Sequence, residues 1–153
     1  MKDELVMFSF QHFQFAGIHA GIQSGHCWTD MAVKYRGTAF RGDTRSIMYW
    51  DWAEKHKTVN IRNGGDQDGL IDIIRLFQRV DNPYPWQQWR EDSSCNECLT
   101  NVSIVVPSKV YGWKPIKPIS ISRGWETITK CDNELDSFDR ELYNLISRTR
   151  HAI

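Results

Sequence analysis

Two histidines, which can transfer protons, and a glutamine, which can hydrogen-bond a ligand, recur at helical spacing near the amino terminus. His19, Gln23 and His26 lie within residues 16–35, a stretch whose pattern predicts a long helix. Positions i, i+4 and i+7 of a helix return to nearly the same face. The three side chains therefore predict one polar ridge beside an apolar stripe, an arrangement that suits a ligand cleft. The competing interpretation is that they are solvated or internally satisfied helix residues.

Two adjacent carboxylates form the second candidate. Glu91 and Asp92 directly follow a strand predicted over 86–90. Such neighbours can raise one another's pKa, and one of them could then act as a general base or bind a water or a ribose hydroxyl. A solvated acidic turn is the more common outcome for a pair of this kind.

A glycine pair follows the strand predicted over 57–62. The run Asn63–Asp66 contains Gly64 and Gly65, which permit left-handed backbone and close approach of a ligand. Asn63 is the candidate binding residue of this run. A plain turn that leads to an Asp N-cap is the favoured interpretation.

The cysteines and the remaining motifs suggest no metal or cofactor. Cys95 and Cys98 have the spacing of half a zinc site, with Cys131 or His26–Cys27 as the possible complement. No second spaced pair exists, so two free thiols are favoured. The sequence also has no nucleophile elbow, phosphate loop or dinucleotide fingerprint.

The composition indicates one ordinary globular domain. The chain has 153 residues, 41% hydrophobic residues and no formal net charge, so any nucleic-acid binding must come from a local patch. The start resembles no secretory signal, and no run of about 18 apolar residues predicts a membrane span. We therefore expect a cytoplasmic protein without membrane contact.

The elements that carry these residues alternate between strand and helix. The hydrophobic pattern predicts the strands 5–10, 57–62, 86–90 and 101–106, and the helices 16–35, 45–55, 67–80 and 132–148. Residues 108–130 are predicted as irregular, with one possible strand at 118–122. In the first helix, the predicted apolar stripe consists of Ile18, Ile22, Thr29 and Val33.

This order predicts an α/β fold with a three-layer-like arrangement, in which helices cover a four-stranded mixed sheet. Residues 1–130 form the domain, and residues 131–153 form its C-terminal helical extension. Ligands of such sheets bind beyond the carboxyl ends of the strands. That rule selects the loops 10–18, 63–67 and 90–100.

Three segments resemble the type-II peptidyl-tRNA hydrolase superfamily, most closely a branch common in bacteriophage genomes. The text of Gly17–His26 is similar to the first-helix signature of that family, a glycine followed by Gln-x-x-His. Trp52–Val59 is similar to its approach to the second strand. Trp89–Asp92, followed by Leu99–Thr100, resembles its acidic loop and the start of its last core strand.

The resemblance implies a metal-independent enzyme that cleaves the ester between a peptide and the tRNA 3′ ribose. It assigns catalysis to His19 with Glu91 or Asp92. The substrate-binding residues that the resemblance and the motifs together suggest are Gln23, His26, Asn63 and Thr100. One departure is visible: cellular members carry a Gly-Lys-Gly-Lys-like run where this chain has Ala16–His19. His19 can replace a lysine only when it is protonated.

Two alternatives to hydrolysis stay open. The same pocket could bind a nucleotide or a tRNA end without cleaving it, and a phage protein could use it to sequester a host defence signal. The Trp-rich surface and the helix 132–148 could instead form a homodimer, although such a stripe more often packs within its own domain.

Overall fold

A four-stranded mixed sheet organises the computed structural model, which describes residues 3–93, 96–114, 119–123, 126–130 and 135–152. The strand order is β2-β1-β4-β3, where β1 and β2 are parallel and β4 is antiparallel to both of its neighbours. The carboxyl ends of β1, β2 and β3 therefore meet the start of β4 at one edge, which we call the carboxyl edge. The strands are β1 (Leu5–His12), β2 (Thr58–Gly65), β3 (Trp86–Arg90) and β4 (Leu99–Pro107).

Helices cover both faces of this sheet. They are α1 (Ile18–Lys34), α2 (Thr44–Asp51), α3 (Gln67–Phe77), α4 (Ser108–Tyr111) and α5 (Ser137–Arg148). The side chains of Asp43, Asp66 and Asp136 accept hydrogen bonds from first-turn N–H groups and so begin α2, α3 and α5. A π-helical turn, Trp52–His56, extends α2 toward β2. A separate antiparallel pair consists of β5 (Ile119–Arg123) and β6 (Glu126–Lys130).

The core has two parts, one on each face of the sheet. On one face, α3, α4 and α5 bury the apolar side chains of β1 and β4, including Phe10 and Ile104. On the other face, α1 and α2 pack Met31 and Tyr49 against Met7. These two layers confirm the predicted α/β fold with a four-stranded mixed sheet covered by helices.

The C-terminal helix completes the first core. Four of the five residues predicted as its apolar stripe are buried there, namely Phe138, Leu142, Leu145 and Ile146. The stripe therefore packs within its own domain, as the more common alternative predicted. The helix begins at Ser137, whereas the prediction began it at residue 132, and residues 131–134 lie outside the described part of the chain.

Several predicted element bounds were wrong. Asn63–Gly65 belongs to β2 and does not form a separate turn, because pairing with β1 continues through Gly65. Residues 78–80 are not helical, since α3 ends at Phe77. The stretch 108–130, predicted as irregular, contains α4 and the strands β5 and β6. The strand predicted at 118–122 corresponds to β5.

The orientation of α1 was also predicted wrongly. Ile18, Ile22 and Val33 are 76%, 47% and 70% exposed, and Thr29 is exposed as well. The reason lies in the sheet, whose α1-facing residues turn from apolar to polar toward the carboxyl edge. Polar helix residues find hydrogen-bond partners there, so the polar face turns inward. The face that α1 buries consists of Ala20, Gln23, Ser24, Cys27 and Met31.

Candidate functional site

Two β-bulges interrupt the strand pairing at the carboxyl edge. In β2, the register passes from Gln11↔Asn63 to His12↔Gly65 and leaves Gly64 without a paired residue. In β4, the partners of Trp89 and Arg90 are Asn101 and Leu99, so Thr100 is the extra residue. Bulges redirect side chains and are frequent beside active sites. The two bulges therefore make the carboxyl edge the leading candidate for a ligand site.

The bulge at Thr100 turns two consecutive side chains toward α1. The Thr100 hydroxyl donates to Oε1 of Gln23 over 2.9 Å, and Nδ2 of Asn101 donates to the Ser24 hydroxyl over 3.3 Å. Successive strand residues normally point to opposite faces. The irregular backbone thus brings together Gln23 and Thr100, two residues that the sequence assigned to the site.

A buried network of hydroxyl and amide groups lies directly beneath this pair. The Ser9 hydroxyl is 2.9 Å from that of Ser24 and 2.8 Å from that of Ser103, and it accepts a 2.8 Å hydrogen bond from Asn101. Nε2 of Gln11 donates to the Ala20 carbonyl over 2.5 Å. The network fixes α1 against β1 and β4, so the side chains above it are held rigidly.

Sequence reasoning missed this network, although one signal was present. The alternation of β1 places Ser9 and Gln11 on the same face as Met7. Polar residues on a face that is otherwise buried require partners, and the inward side of α1 supplies them. The Gln11 Oε1 atom is buried and has no hydrogen-bond partner among the described residues.

The first turn of α1 offers N–H groups without a side-chain cap. The cap position is Gly17, at φ 57°, and it makes no side-chain hydrogen bond. The first turn contains no acidic residue, and His19 projects from it into solvent. Free N–H groups at a helix start attract anions, and a protonated histidine would reinforce that attraction.

His26 lies further along α1, where the helix passes over the end of β3. Its ring stacks on Trp89 with centroids 4.9 Å apart and planes inclined by 19°. The Trp89 Nε1 atom is buried and lacks a partner in the described part of the chain. His19, Gln23 and His26 do not form one continuous polar ridge, because Gln23 is buried while the two histidines are exposed.

The two predicted carboxylates lie in the loop between β3 and β4. Backbone hydrogen bonds close this loop, from Glu91 N–H to the Cys98 carbonyl (3.0 Å) and from Glu97 N–H to the Asp92 carbonyl (3.1 Å). Glu91 is half-buried and Asp92 is exposed. Both therefore stand at the same edge of the sheet as Thr100.

Asn63 lies at this edge but away from the Gln23–Thr100 pair. β1 separates its strand from β4, so Asn63 and Thr100 are roughly 10 Å apart across the sheet. Its Oδ1 atom accepts a hydrogen bond from Gly65 N–H over 2.9 Å. Asn63 lines a separate cavity of about 360 Å³ between the end of β2 and the carboxyl end of α5.

Two cysteines lie in the described part of the chain, Cys27 and Cys98, and both are free thiols. Burial raises the pKa of Cys27 to about 12, so its thiol stays protonated and donates to the Gln87 carbonyl. Cys98 lies 3.1 Å from Nε2 of Gln67, and Cys95 is outside the described residues. No group of three or more His, Cys, Asp or Glu side chains that could hold a metal ion occurs among the described residues.

None of the helices in the described ranges is both long enough and apolar enough to traverse a bilayer.

No family model matches the chain, and no curated protein matches its sequence.

Proposed function

We propose that this protein hydrolyses the ester that joins a peptide or an amino acid to the 3′ ribose of tRNA. The observation that carries the proposal is the hydrogen bond between Thr100 and Gln23. It joins two of the separate segments in which the sequence resembles the type-II peptidyl-tRNA hydrolases. The site would lie at the carboxyl edge of the sheet, as is usual for open α/β sheets.

The chemistry requires a base, an anion-stabilising group and a positioned ester. Asp92 or Glu91 would take a proton from the water that attacks the ester carbonyl, and would return it to the 3′ ribose oxygen when the acyl C–O bond breaks. His19 and the uncapped N–H groups of α1 would stabilise the negative charge that develops on the ester oxygen. Gln23 and Thr100 would position the ester beside them, and no step needs a metal ion.

Hydrolysis of N-acetyl-aminoacyl-tRNA by the purified protein tests this proposal. We expect turnover well above the spontaneous rate, and a loss of about 100-fold or more in either Asp92→Asn or Glu91→Gln, whichever removes the base. Asp68→Asn is the matched control, because Asp68 is an exposed carboxylate on α3. A folded wild-type protein without turnover rules out the hydrolase.

A second candidate function is binding of a nucleotide or a tRNA end without cleavage. The stack of His26 on Trp89 favours it, because aromatic faces bind bases with little sequence preference. The lack of a lysine between Ala16 and His19 favours it too, since no permanently charged side chain is present there to stabilise an oxyanion. In a phage-infected cell, such a protein would sequester a nucleotide signal of host defence in the cytoplasm.

A thermal-shift experiment separates the two functions. Binding without catalysis predicts a large nucleotide-dependent rise in Tm together with no ester hydrolysis. Hydrolysis predicts release of the acyl group whether or not free nucleotides raise Tm. Trp89→Leu should abolish the shift if base stacking supplies the affinity, whereas Trp50→Leu should keep it, because Trp50 is a partly buried tryptophan of α2 that packs against the core.

We also propose that the protein forms a homodimer. The exposed apolar side chains of α1, rather than the buried stripe of α5, are the candidate interface. Ile22→Lys should convert a dimer to a monomer in sedimentation velocity. Val80→Lys is the control, because Val80 is fully exposed and lies in the loop between α3 and β3, not on α1. A wild-type monomer at all concentrations contradicts this proposal.

A further inference from the structure

The chain beyond α5 runs along the outer edge of β2. Asn63 N–H donates to the Arg150 carbonyl over 2.8 Å, and Ala152 N–H donates to the Ile61 carbonyl over 3.1 Å. The Arg62 guanidinium donates to the Thr149 carbonyl over 2.9 Å. These bonds cover a strand edge that would otherwise be open. They also fix the position of the last residues relative to the carboxyl edge.

This pairing brings two arginines to one cavity. Arg148 and Arg150 line the 360 Å³ space that Asn63 also lines. Neither guanidinium has an ion-pair or side-chain hydrogen-bond partner among the described residues. By contrast, Arg75 and Arg79 each bind a carboxylate. Exposed guanidinium groups without carboxylates are the usual means of binding phosphate.

The remaining lining of the cavity suits an anion. Gly64, Gly65 and Gly69 form one wall without side chains, so a ligand can approach the backbone closely. The carboxylate in the lining, Asp72, already binds Arg75 over 2.7 Å. The lining therefore carries two arginines against one carboxylate, which leaves it with a net positive charge. The start of α3 adds little, because the Asp66 side chain already caps it.

We propose that Arg148 and Arg150 form a phosphate subsite for the RNA end whose terminal ester lies at Gln23 and Thr100. This inference rests on the proposed function, in either its catalytic or its binding form. The cavity and the ester position lie at the same carboxyl edge but on opposite faces of the sheet, since α3 and α5 line the cavity while Gln23 belongs to α1. A single strand that crosses this edge would present a backbone phosphate to the cavity while its 3′ end reaches α1.

Binding of the ribotrinucleotide CCA, with and without a 5′-phosphate, tests the subsite on the full chain by isothermal titration. We expect the 5′-phosphate to increase affinity about tenfold, and R148Q/R150Q to remove that gain. The charge-matched control is R36Q/R140Q, which removes two exposed arginines that do not line the cavity. Loss of an arginine–phosphate contact should also lower the salt dependence of affinity, by about 0.7 in the logarithmic slope per phosphate.

Three outcomes overturn the subsite: equal affinity of the two trinucleotides for the wild type, equal loss in both double variants, and no binding of either trinucleotide. If R148Q/R150Q unfolds, the single variants R148Q and R150Q take its place, with circular dichroism as the folding control. Ester hydrolysis is measured separately. An affinity that depends on the 5′-phosphate, without ester hydrolysis, supports the subsite and contradicts the hydrolase proposal. Ester hydrolysis that is unchanged in R148Q/R150Q contradicts the subsite but leaves the hydrolase proposal intact.

Discussion

Gln23 is held in its candidate position by the Thr100 hydroxyl. The amide is buried, and its Oε1 atom accepts the 2.9 Å hydrogen bond from Thr100. A buried polar atom without a partner costs more free energy than the hydrogen bond itself contributes. The pair therefore stabilises the fold as well as the site, and its removal should be visible in stability before any ligand is added.

Replacing Thr100 with valine tests that dual role. Valine keeps the shape but removes the donor, so the Gln23 Oε1 atom loses its partner. We expect Thr100→Val to lower the free energy of unfolding by about 1–3 kcal/mol in urea denaturation. Thr29→Val is the control, because that exposed hydroxyl only donates to the Gly25 carbonyl within α1; it should change stability by less than about 0.5 kcal/mol. Equal effects of the two substitutions would show that the pair contributes nothing specific.

Helices differ in how far their buried faces could be predicted from the sequence. For α3, the predicted stripe of Leu70, Ile73, Ile74 and Phe77 is the buried face, because the sheet beneath it is apolar. For α1, the pattern predicted the wrong face, since the sheet presents hydroxyls and amides to it. Hydrophobic periodicity reports the helix alone and carries no information about the surface that the helix meets.

The two β-bulges are harder to predict from the sequence than the buried faces of the helices. The sequence of Leu99–Asn101 does not indicate that Thr100 forms a bulge, because the pairing register of a strand depends on its partner strand. The glycines of Asn63–Asp66 do indicate a special backbone, but their pattern predicts a turn, whereas the structure has a β-bulge at Gly64. The structure explains the requirement at Gly64, where an added Cβ would lie 2.5 Å from Cδ2 of Leu70 and 3.1 Å from the Gln11 carbonyl oxygen.

Two glycine-to-alanine substitutions should therefore have opposite effects. Gly64→Ala places a methyl group against buried atoms and should destabilise the protein by about 1–3 kcal/mol. Gly21→Ala meets no atom within 4 Å on α1 and should stabilise it by about 0.5–1 kcal/mol through helix propensity. Chemical denaturation of both variants measures the difference. A Gly64→Ala protein as stable as the wild type would mean that the bulge is not close-packed.

At the scale of the whole molecule, the alternation of strands and helices predicted where the loops would gather. Residues 10–18, 63–67, 90–93 and 96–100 do meet at one edge, because β1, β2 and β3 run in the same direction. The sequence did not predict the path of the last residues along β2. That path depends on an open strand edge, which exists only once the sheet has formed.

The helix α5 is required for the stability of the domain, because its apolar side chains are part of the core. Leu142 is fully buried against the core that α3 and β4 share. We expect Leu142→Ala to lower the free energy of unfolding by about 2–5 kcal/mol in a single cooperative transition. Ser147→Ala, at an exposed position of α5, should change it by less than about 0.5 kcal/mol. Tryptophan fluorescence and circular dichroism transitions that do not coincide would mean that α5 unfolds separately.

The central claim, shared by hydrolysis and by binding, is that an RNA 3′ end binds at the carboxyl edge beside α1. Hydrogen–deuterium exchange of the protein with and without 5′-phosphorylated CCA tests it most directly. The account predicts slower exchange of the amides in residues 17–24, 63–67 and 96–101. Protection confined to the opposite edge of the sheet, at the 700 Å³ apolar cavity lined by Ile47, Met48 and Tyr84, would contradict it.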